Sequence, residues 1–236
     1  MSSGELLSLK NLCVWYTPDK PVLFDFSVDL GTNEVVGLIG LNGAGKTTFI
    51  KTVAGLLNGF CLDDAVWAGH AFSFRDKDFK KNRYIVFSED RSFQYFSFRE
   101  YLAYVAASYG VPQPDVSELV KGFQFEDYTR VLLKELSTGN LKKAYLITAF
   151  ALRPKLLLLD EPVNGLDFQS TEFLYQLISE YKEFGTILFS SHILESICLT
   201  SDRVFVLEKG KISRIFTGKE IAAGNIRGVL AFEEEH

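Results

Sequence analysis

The sequence predicts an α/β fold, with a parallel-sheet core, an antiparallel β-subdomain at the N-terminus and an inserted helical subdomain. Short apolar runs at residues 35–39, 156–160 and 186–191 have the length and composition of buried parallel strands. Residues 6–30 instead alternate like an antiparallel sheet, and residues 98–152 carry helical signals. The 236 residues, 47% of them hydrophobic, suffice for one core with such an insertion.

The other elements follow from local periodicity and from turn residues. In chain order, we expect a helix at 45–57, a charged loop at 70–84, a strand at 84–87, a helix at 170–184, and a closing hairpin from a strand at 203–207, a turn at 208–211 and the chain from 212.

Residues 40–48 read Gly-Leu-Asn-Gly-Ala-Gly-Lys-Thr-Thr and lie between the strand at 35–39 and the helix that follows. Glycines let backbone N–H groups point at phosphate oxygens, Lys46 adds a positive charge, and the helix presents its N-terminus to the same anion. The motif therefore predicts a nucleoside triphosphate site rather than a plain glycine-rich turn. The predicted contacts are Asn42, Gly43, Ala44, Gly45, Lys46, Thr47 and Thr48.

Two adjacent acids, Asp160 and Glu161, end the strand at 156–160. Ligands of α/β sheets bind at the carboxyl ends of strands, and Mg²⁺ prefers oxygen ligands. We expect the Thr47 hydroxyl and Asp160 to hold Mg²⁺, which leaves Glu161 to polarise the attacking water. The alternative is that the acids only cap the end of the strand.

Composition restricts the partners. The formal net charge of −5 argues against a broad basic surface, and hence against nucleic-acid binding. Neither a secretion signal nor a run approaching ~20 apolar residues is present in the sequence, so we expect membrane contact only through another protein. Cys13, Cys61 and Cys198 show neither disulfide nor metal spacing and are interpreted as buried thiols in a reducing compartment.

In their order, these motifs resemble the nucleotide-binding domain of ATP-binding cassette (ABC) proteins over nearly the whole chain. The resemblance implies a single domain over 1–236 built on a P-loop NTPase core. Residues 1–89 and 153–236 would form the RecA-like core with its antiparallel β-subdomain, and residues 90–152 the helical subdomain. It also implies ATP and Mg²⁺ as ligands, and ATP hydrolysis as the activity.

The resemblance assigns further residues to the nucleotide. Tyr16 is expected to stack on adenine, with neighbouring Trp15, or an ordinary strand role for Tyr16, as the alternatives. Residues 136–140 stand where the family commonly has Leu-Ser-Gly-Gly-Gln, and would meet the γ-phosphate of a nucleotide bound to the opposite subunit. These signature contacts are Ser137, Thr138, Gly139 and Asn140.

The signature departs from the family pattern at Thr138 and Asn140. A Cβ at position 138 would clash if that backbone needs a positive φ, and Asn140 is one methylene shorter than Gln. These two departures predict that the signature could bind nucleotide more weakly and support slower hydrolysis. The alternative interpretation is that the segment is a plain capped helix.

Three more sites follow from the resemblance. Asn164 and Asp167 belong to a loop that connects the two nucleotide sites, or else to a plain turn. His192 would reach the γ-phosphate and support water activation, unless it is a structural histidine. Glu89 would offer an oxygen to Mg²⁺ and face the membrane partner, with Gln94 as a fallback and a solvated acid as the alternative.

The implied function is an ATP-hydrolysing subunit that pairs with a second copy of itself or a related ATPase. It would work at the cytoplasmic face of the cell membrane through an integral membrane permease seated near Phe93, Tyr95, Phe96 and Phe98. The short segment after residue 212, Glu89 and residues 164–167 favour export of a drug, antimicrobial or amphipathic peptide. A soluble non-transport ABC ATPase, an importer ATPase, and an ATP-binding switch with weak hydrolysis stay as alternatives.

Overall fold

Two sheets organise the computed structural model, which describes residues 4–234. The strands are β1 (Glu5–Thr17), β2 (Lys20–Gly31), β3 (Val35–Ile39), β4 (Phe60–Cys61), β5 (Asp64–Trp67), β6 (His70–Ala71), β7 (Arg83–Val86), β8 (Leu156–Asp160), β9 (Thr186–Ser191), β10 (Arg203–Glu208) and β11 (Lys211–Thr217). The helices are α1 (Lys46–Val53), α2 (Lys77–Asn82), α3 (Phe98–Tyr109), α4 (Ser117–Gly122), α5 (Thr138–Leu152), α6 (Phe168–Glu180), α7 (Leu194–Thr200) and α8 (Ala223–Glu234). Short 3-10 turns lie at Glu126–Tyr128, Leu133–Glu135, Tyr181–Glu183 and Gly218–Glu220.

The larger sheet has six strands in the order β11-β10-β3-β9-β8-β7. All neighbours pair in parallel except β10 and β11, which form the predicted antiparallel hairpin. The carboxyl ends of parallel strands lie at the same edge of a sheet. The loop at 40–48, Asp160 and His192, which come at the ends of β3, β8 and β9, therefore lie at one edge. The fold therefore gathers residues that are far apart in the sequence.

Both faces of this sheet are buried, which explains why its strands are continuously apolar. Successive side chains point to opposite faces, so Val35 and Leu157 join one hydrophobic core while Val36 and Leu158 join the other. The first core also takes in side chains of α3, α5 and α6, and the second packs α1 between the two sheets.

The N-terminal sheet is antiparallel, as the alternation at 6–30 predicts. Its order is β2-β1-β5-β6, and β4 also pairs with β1. The α/β fold class is thus confirmed. Helices α3, α4 and α5 lie between β7 and β8 in the chain, and their standing as a separate subdomain over 90–152 stays a prediction.

Several local expectations were wrong. Within the charged stretch predicted as a loop, Lys77–Asn82 forms α2, because Phe79 is fully buried and anchors a helix whose other side chains are polar. The helix after the phosphate loop ends at Val53, since Gly55 takes a left-handed φ of +73°. The short strands β4, β5 and β6 and the helices α7 and α8 were not predicted from the sequence.

The three cysteines are not buried as expected. Cys61 is exposed on β4, and Cys13 and Cys198 are half-buried. Among residues 4–234, none of the helices combines the length and apolar character that a bilayer crossing requires.

Candidate functional site

The loop at 40–48 leaves the carboxyl end of β3 and runs directly into α1. Gly43 and Gly45 have φ values of +86° and +113°, in the left-handed region that favours glycine. A Cβ on Gly45 would also lie 2.5 Å from Leu23 Cδ2, so both conformation and space require glycine there. The backbone is therefore curled as a phosphate cradle needs, with the N-terminus of α1 facing it.

Lys46 holds its ammonium group inside this loop. Its Nζ donates to the carbonyl oxygens of Gly40 at 2.7 Å and Leu41 at 3.3 Å, and lies 3.9 Å from Glu161 Oε1. Burial lowers the pKa of Lys46, while the negative charges of Glu161 and Asp160 oppose that shift. The loop thus carries a cation at the position where phosphate oxygens are predicted.

Asp160 is fully buried and collects hydroxyl donors. Thr47 Oγ1 lies 3.0 Å from each carboxylate oxygen, Ser190 Oγ donates at 2.7 Å and Ser88 Oγ at 3.1 Å. These oxygen donors fit Mg²⁺, which prefers hard oxygen ligands. The structure brings Thr47 and Asp160 together as predicted, and it adds Ser88 and Ser190, which sequence reasoning missed.

Ser88, rather than Glu89, contacts the predicted metal ligand Asp160, and the Mg²⁺ role of Glu89 stays a prediction. The Glu89 side chain is exposed, whereas the hydroxyl one residue earlier contacts Asp160. Ser88 and Glu89 lie in a bend after β7, and it is the Ser88 side chain that turns towards Asp160. Gln94, the fallback, is half-buried and lines a groove together with Glu89. A hydroxyl at position 88, directly after the apolar run, was the signal available in the sequence.

Glu161 and His192 form a close pair. His192 Nδ1 lies 2.7 Å from Glu161 Oε2, and the His192 backbone N–H donates to the same oxygen at 3.3 Å. The Glu161 backbone has a left-handed φ of +49°, and its N–H donates to Ser190 Oγ at 3.0 Å. The geometry holds the carboxylate in place beside Lys46, and it joins the two residues predicted as catalytic.

Tyr16 is placed beside the phosphate loop, with its hydroxyl 3.3 Å from Thr48 Oγ1. Its side chain is 58% exposed, which leaves the ring accessible. Trp15 packs instead against Gly59, where an added Cβ would lie 2.9 Å from Trp15 Cδ1. The structure thus makes Tyr16, rather than Trp15, available for stacking on a base.

The signature segment opens α5. Ser137 is the N-cap residue, and its hydroxyl accepts from the Asn140 backbone N–H at 3.2 Å. Thr138 is the first residue of the helix and does not have a positive φ, so the clash considered for its Cβ does not arise. A Cβ on Gly139 would lie 2.4 Å from the Gly165 carbonyl oxygen, so glycine permits the close contact between this helix and the loop at 164–167.

The loop at 164–167 connects α5 to Glu161. The Asn164 backbone N–H donates to the Glu161 carbonyl at 3.3 Å, and the side chain of Asn164 is exposed. Asp167 caps α6 by accepting from the Ser170 N–H at 2.8 Å, and it pairs with Lys143 Nζ at 2.6 Å. The hydrogen bond from Lys143 is the main cause that lowers the pKa of Asp167 to about 2.

Lys142, which sequence reasoning did not single out, is a second link between α5 and the site. It is buried, and its Nζ lies 3.2 Å from the Phe87 carbonyl oxygen and 3.5 Å from that of Glu161. Burial lowers the pKa of Lys142, and Asp160 and Glu161 counteract this. Lys142 therefore ties α5 to the backbone just after the ends of β7 and β8.

A groove of about 480 Å³ opens next to this link, lined by residues 87–91 together with Lys142 and Tyr145 of α5. Close to it, Phe93 and Tyr95 are 39% and 77% exposed, and Phe96 is half-buried. Phe98 is only 1% exposed, because it lies on the core face of α3 and packs on Phe125. The predicted docking surface thus keeps Phe93, Tyr95 and Phe96 but loses Phe98.

The chain is similar to known proteins in sequence and in fold. A family model described as "ABC transporter" matches residues 23–164. The chain is 36% identical to a Bacillus subtilis protein named as the ABC transporter ATP-binding protein AlbC, covering 89% of this chain and 91% of that one. It is 28% identical to the phosphate import ATP-binding protein PstB of Mycoplasma genitalium, covering 93% and 73% of the two chains. A solved structure titled "Structure of ATP binding subunit of ABC transporter" superposes with a TM-score of 0.85 at 27% identity, covering 98% of this chain and 100% of that one.

Proposed function

This chain belongs to the ABC transporter family as an ATP-binding subunit, an ATPase type that hydrolyses ATP to drive transport, and from that premise we propose how its residues divide the work. The observation that carries the proposal is the buried cluster in which Lys46, Thr47 and Asp160 meet beside Glu161. It supplies a cation, an oxygen donor set and a carboxylate within one cradle.

The loop at 40–48 would hold the phosphates through its backbone N–H groups, with Lys46 turning from the Gly40 and Leu41 carbonyls to phosphate oxygens. Thr47 and Asp160 would hold Mg²⁺, and Ser88 and Ser190 would fix the orientation of the Asp160 carboxylate. Bound Mg²⁺ would neutralise the charge on the phosphate oxygens. Tyr16 would stack on the adenine ring.

Glu161 would accept the proton of the attacking water. Its carboxylate is well placed for this role because His192 holds Oε2 while Oε1 faces Lys46. His192 would act by keeping that carboxylate aligned and by contacting the γ-phosphate.

A second chain, identical or closely related, would complete each site. Ser137 caps α5 and its side chain is exposed, and the N-terminal N–H groups of a helix favour an anion. Phe168, next to the loop at 164–167, is 78% exposed, which suits a residue covered by another chain. ATP bound between the chains would then favour the closed pair.

We assign the permease to the groove lined by Lys142 and Tyr145 and to the neighbouring Phe93, Tyr95 and Phe96. Exposed aromatic side chains are the residues that dominate interface energetics. The chain would then reach the cytoplasmic face of the membrane only through that subunit. Lys142 would transmit the docking of the permease to the nucleotide site, because it lines this groove and also contacts the Glu161 backbone.

We further propose that transport is export, of a drug, an antimicrobial or an amphipathic peptide. This direction rests on the sequence resemblance alone, and the likeness to a phosphate import protein makes import the competing outcome. ATP-driven accumulation of the substrate in inside-out membrane vesicles supports export, and its ATP-driven loss from them contradicts export.

The permease assignment is tested by purifying the tagged chain from detergent-solubilised membranes of its source. We expect an integral membrane protein to co-purify and to stimulate ATP hydrolysis. Tyr95→Ala should weaken this association by at least ~10-fold, because truncating an aromatic anchor costs about 2 kcal/mol, whereas the distant Tyr175→Ala should not. Recovery of an active ATPase without any membrane protein would instead favour the non-transport alternative.

A further inference from the structure

Two cysteines that lie far apart in the sequence face each other in the N-terminal sheet. Cys13 of β1 is the direct cross-strand partner of Cys61 of β4, and Val14 pairs with Phe60 beside them. The Trp15 N–H donates to the Gly59 carbonyl at 2.8 Å, which continues the same register. The pairing is therefore set by three consecutive cross-strand positions.

This placement suits a disulfide. Directly opposed residues of antiparallel strands point to the same face and have Cα atoms roughly 4.5–5.5 Å apart. A disulfide spans Cα separations of about 4.4–6.8 Å. The two thiols can thus join without moving either strand far.

The surroundings give the two sulfurs different roles. Cys61 is exposed and Cys13 is half-buried, so an oxidant in solution reaches Cys61 first. Burial raises the pKa of the Cys13 thiol, and the neighbouring Cys61 raises it further, as expected for two sulfurs in proximity. Cys198 lies on α7, away from this sheet, and serves as an internal reference.

We propose that Cys13 and Cys61 are a redox modification site that closes to an intrachain disulfide when the protein meets a peroxide. The peroxide oxidises the Cys61 thiol to a sulfenic acid and is itself reduced to water. The Cys13 sulfur then displaces the hydroxyl group, the S–S bond forms and a second water leaves. A dithiol reductant reverses the change by thiol–disulfide exchange.

The bond would join two parts of the nucleotide-binding half of the chain. β1 carries Tyr16 three residues after Cys13, and the closed loop between the cysteines includes the whole phosphate loop at 40–48. Cross-linking restricts the unfolded chain, so the oxidised form gains thermal stability, with a melting temperature about 5 °C higher. The proposal does not depend on the transport function.

The test uses the purified full-length chain, reduced and then treated with hydrogen peroxide. Peptide mapping by mass spectrometry without reduction should show the peptide that contains Cys13 linked to the one that contains Cys61, with Cys198 still reduced. The melting temperature should rise and return after dithiothreitol. Cys198→Ser should behave like the wild type, whereas Cys13→Ser and Cys61→Ser should each lose the rise.

Two results would overturn the proposal. One is a disulfide between the Cys61 residues of two chains in place of the internal link. Another is oxidation of Cys198 at the same rate as Cys61, which would indicate general exposure rather than a paired site. The wild-type map alone decides these outcomes, so a variant that folds poorly does not weaken the test.

Discussion

The phosphate site, formed by the loop at 40–48 with Asp160, differs from the signature segment at 137–140. The two differ in how completely the polar groups are hydrogen-bonded within one chain. Asp160 is fully buried and accepts from the hydroxyls of Thr47, Ser88 and Ser190. Ser137, at the other place where phosphate contact is proposed, is exposed and caps its own helix through one bond from the Asn140 N–H.

From this difference we infer that the two regions have different partners. The chain itself organises the first region, whose proposed ligands are a nucleotide and a metal ion. The second presents an open helix N-terminus that fits a phosphate carried by another molecule. Two lysines of α5 connect them, because Lys142 reaches the Glu161 backbone and Lys143 reaches Asp167.

The largest effect is expected from a substitution in the phosphate site. Glu161→Gln should lower ATP turnover by at least ~100-fold, since it removes the proposed proton acceptor. ATP affinity should stay within about threefold, because the phosphate cradle is untouched. Phosphate release and binding of a fluorescent ATP analogue measure the two effects.

The matched control is Glu89→Gln, which changes an exposed acid at the edge of the same site and should keep most of the activity. Equal turnover in Glu161→Gln and the wild type would remove Glu161 from its assigned role. A large loss in Glu89→Ala, which removes the side-chain oxygen that glutamine would keep, would support the metal-binding role that the sequence suggested for Glu89.

A smaller effect is expected at the link between the regions. Lys142→Met keeps the volume but leaves the Phe87 and Glu161 carbonyl oxygens without this donor. We expect turnover to fall about 10-fold and the free energy of unfolding to fall by ~1–2 kcal/mol, the usual cost of a lost partner for a buried polar group. Urea unfolding and steady-state phosphate release test this.

Lys121→Met, at an exposed position on α4, is the control for loss of a lysine charge and should change neither quantity. If Lys142→Met lowers stability but leaves turnover intact, the residue is structural and the proposed transmitting role for it is wrong.

The smallest effect is expected at Asp167, which pairs with Lys143 of α5. The depressed pKa of Asp167, about 2, means that its charge stabilises the fold above pH ~4, and this contribution is lost as the pH falls towards 2. Because the side chain is half exposed, the contribution is at most ~1 kcal/mol. Asp167→Asn retains a capping residue, so its deficit in unfolding free energy should be present at pH 6 and shrink below pH 4. A deficit that is constant across that range would contradict the ion pair with Lys143.

Much of the site was predictable because its signals are local. The glycine spacing at 40–48 and the acids that end an apolar strand each lie within about ten residues of chain. The common edge where they meet follows from parallel pairing alone.

The features that the sequence did not reveal share a physical cause, which is dependence on contacts between distant residues. Ser88 is distinguished from Glu89 only by which side chain faces Asp160, and the pattern of an isolated strand end does not show this. Helix α2 depends on the burial of Phe79, and the Cys13–Cys61 pairing depends on a strand of two residues. Lys142 was not singled out because its acceptors are backbone carbonyls of other segments, which a sequence pattern does not show.

The most direct measurement mixes two inactive variants. Lys46→Ala should disable the phosphate loop and Ser137→Arg should block the signature segment, so we expect each variant alone to hydrolyse almost no ATP. Thermal unfolding should show that both variants are folded. If two chains complete each site, half of the pairs in an equimolar mixture contain both variants and hold one intact site. Turnover should then recover to about one quarter of the wild-type rate. No recovery, despite mixed pairs shown by affinity co-purification, would contradict the shared site, as would wild-type turnover by Ser137→Arg alone.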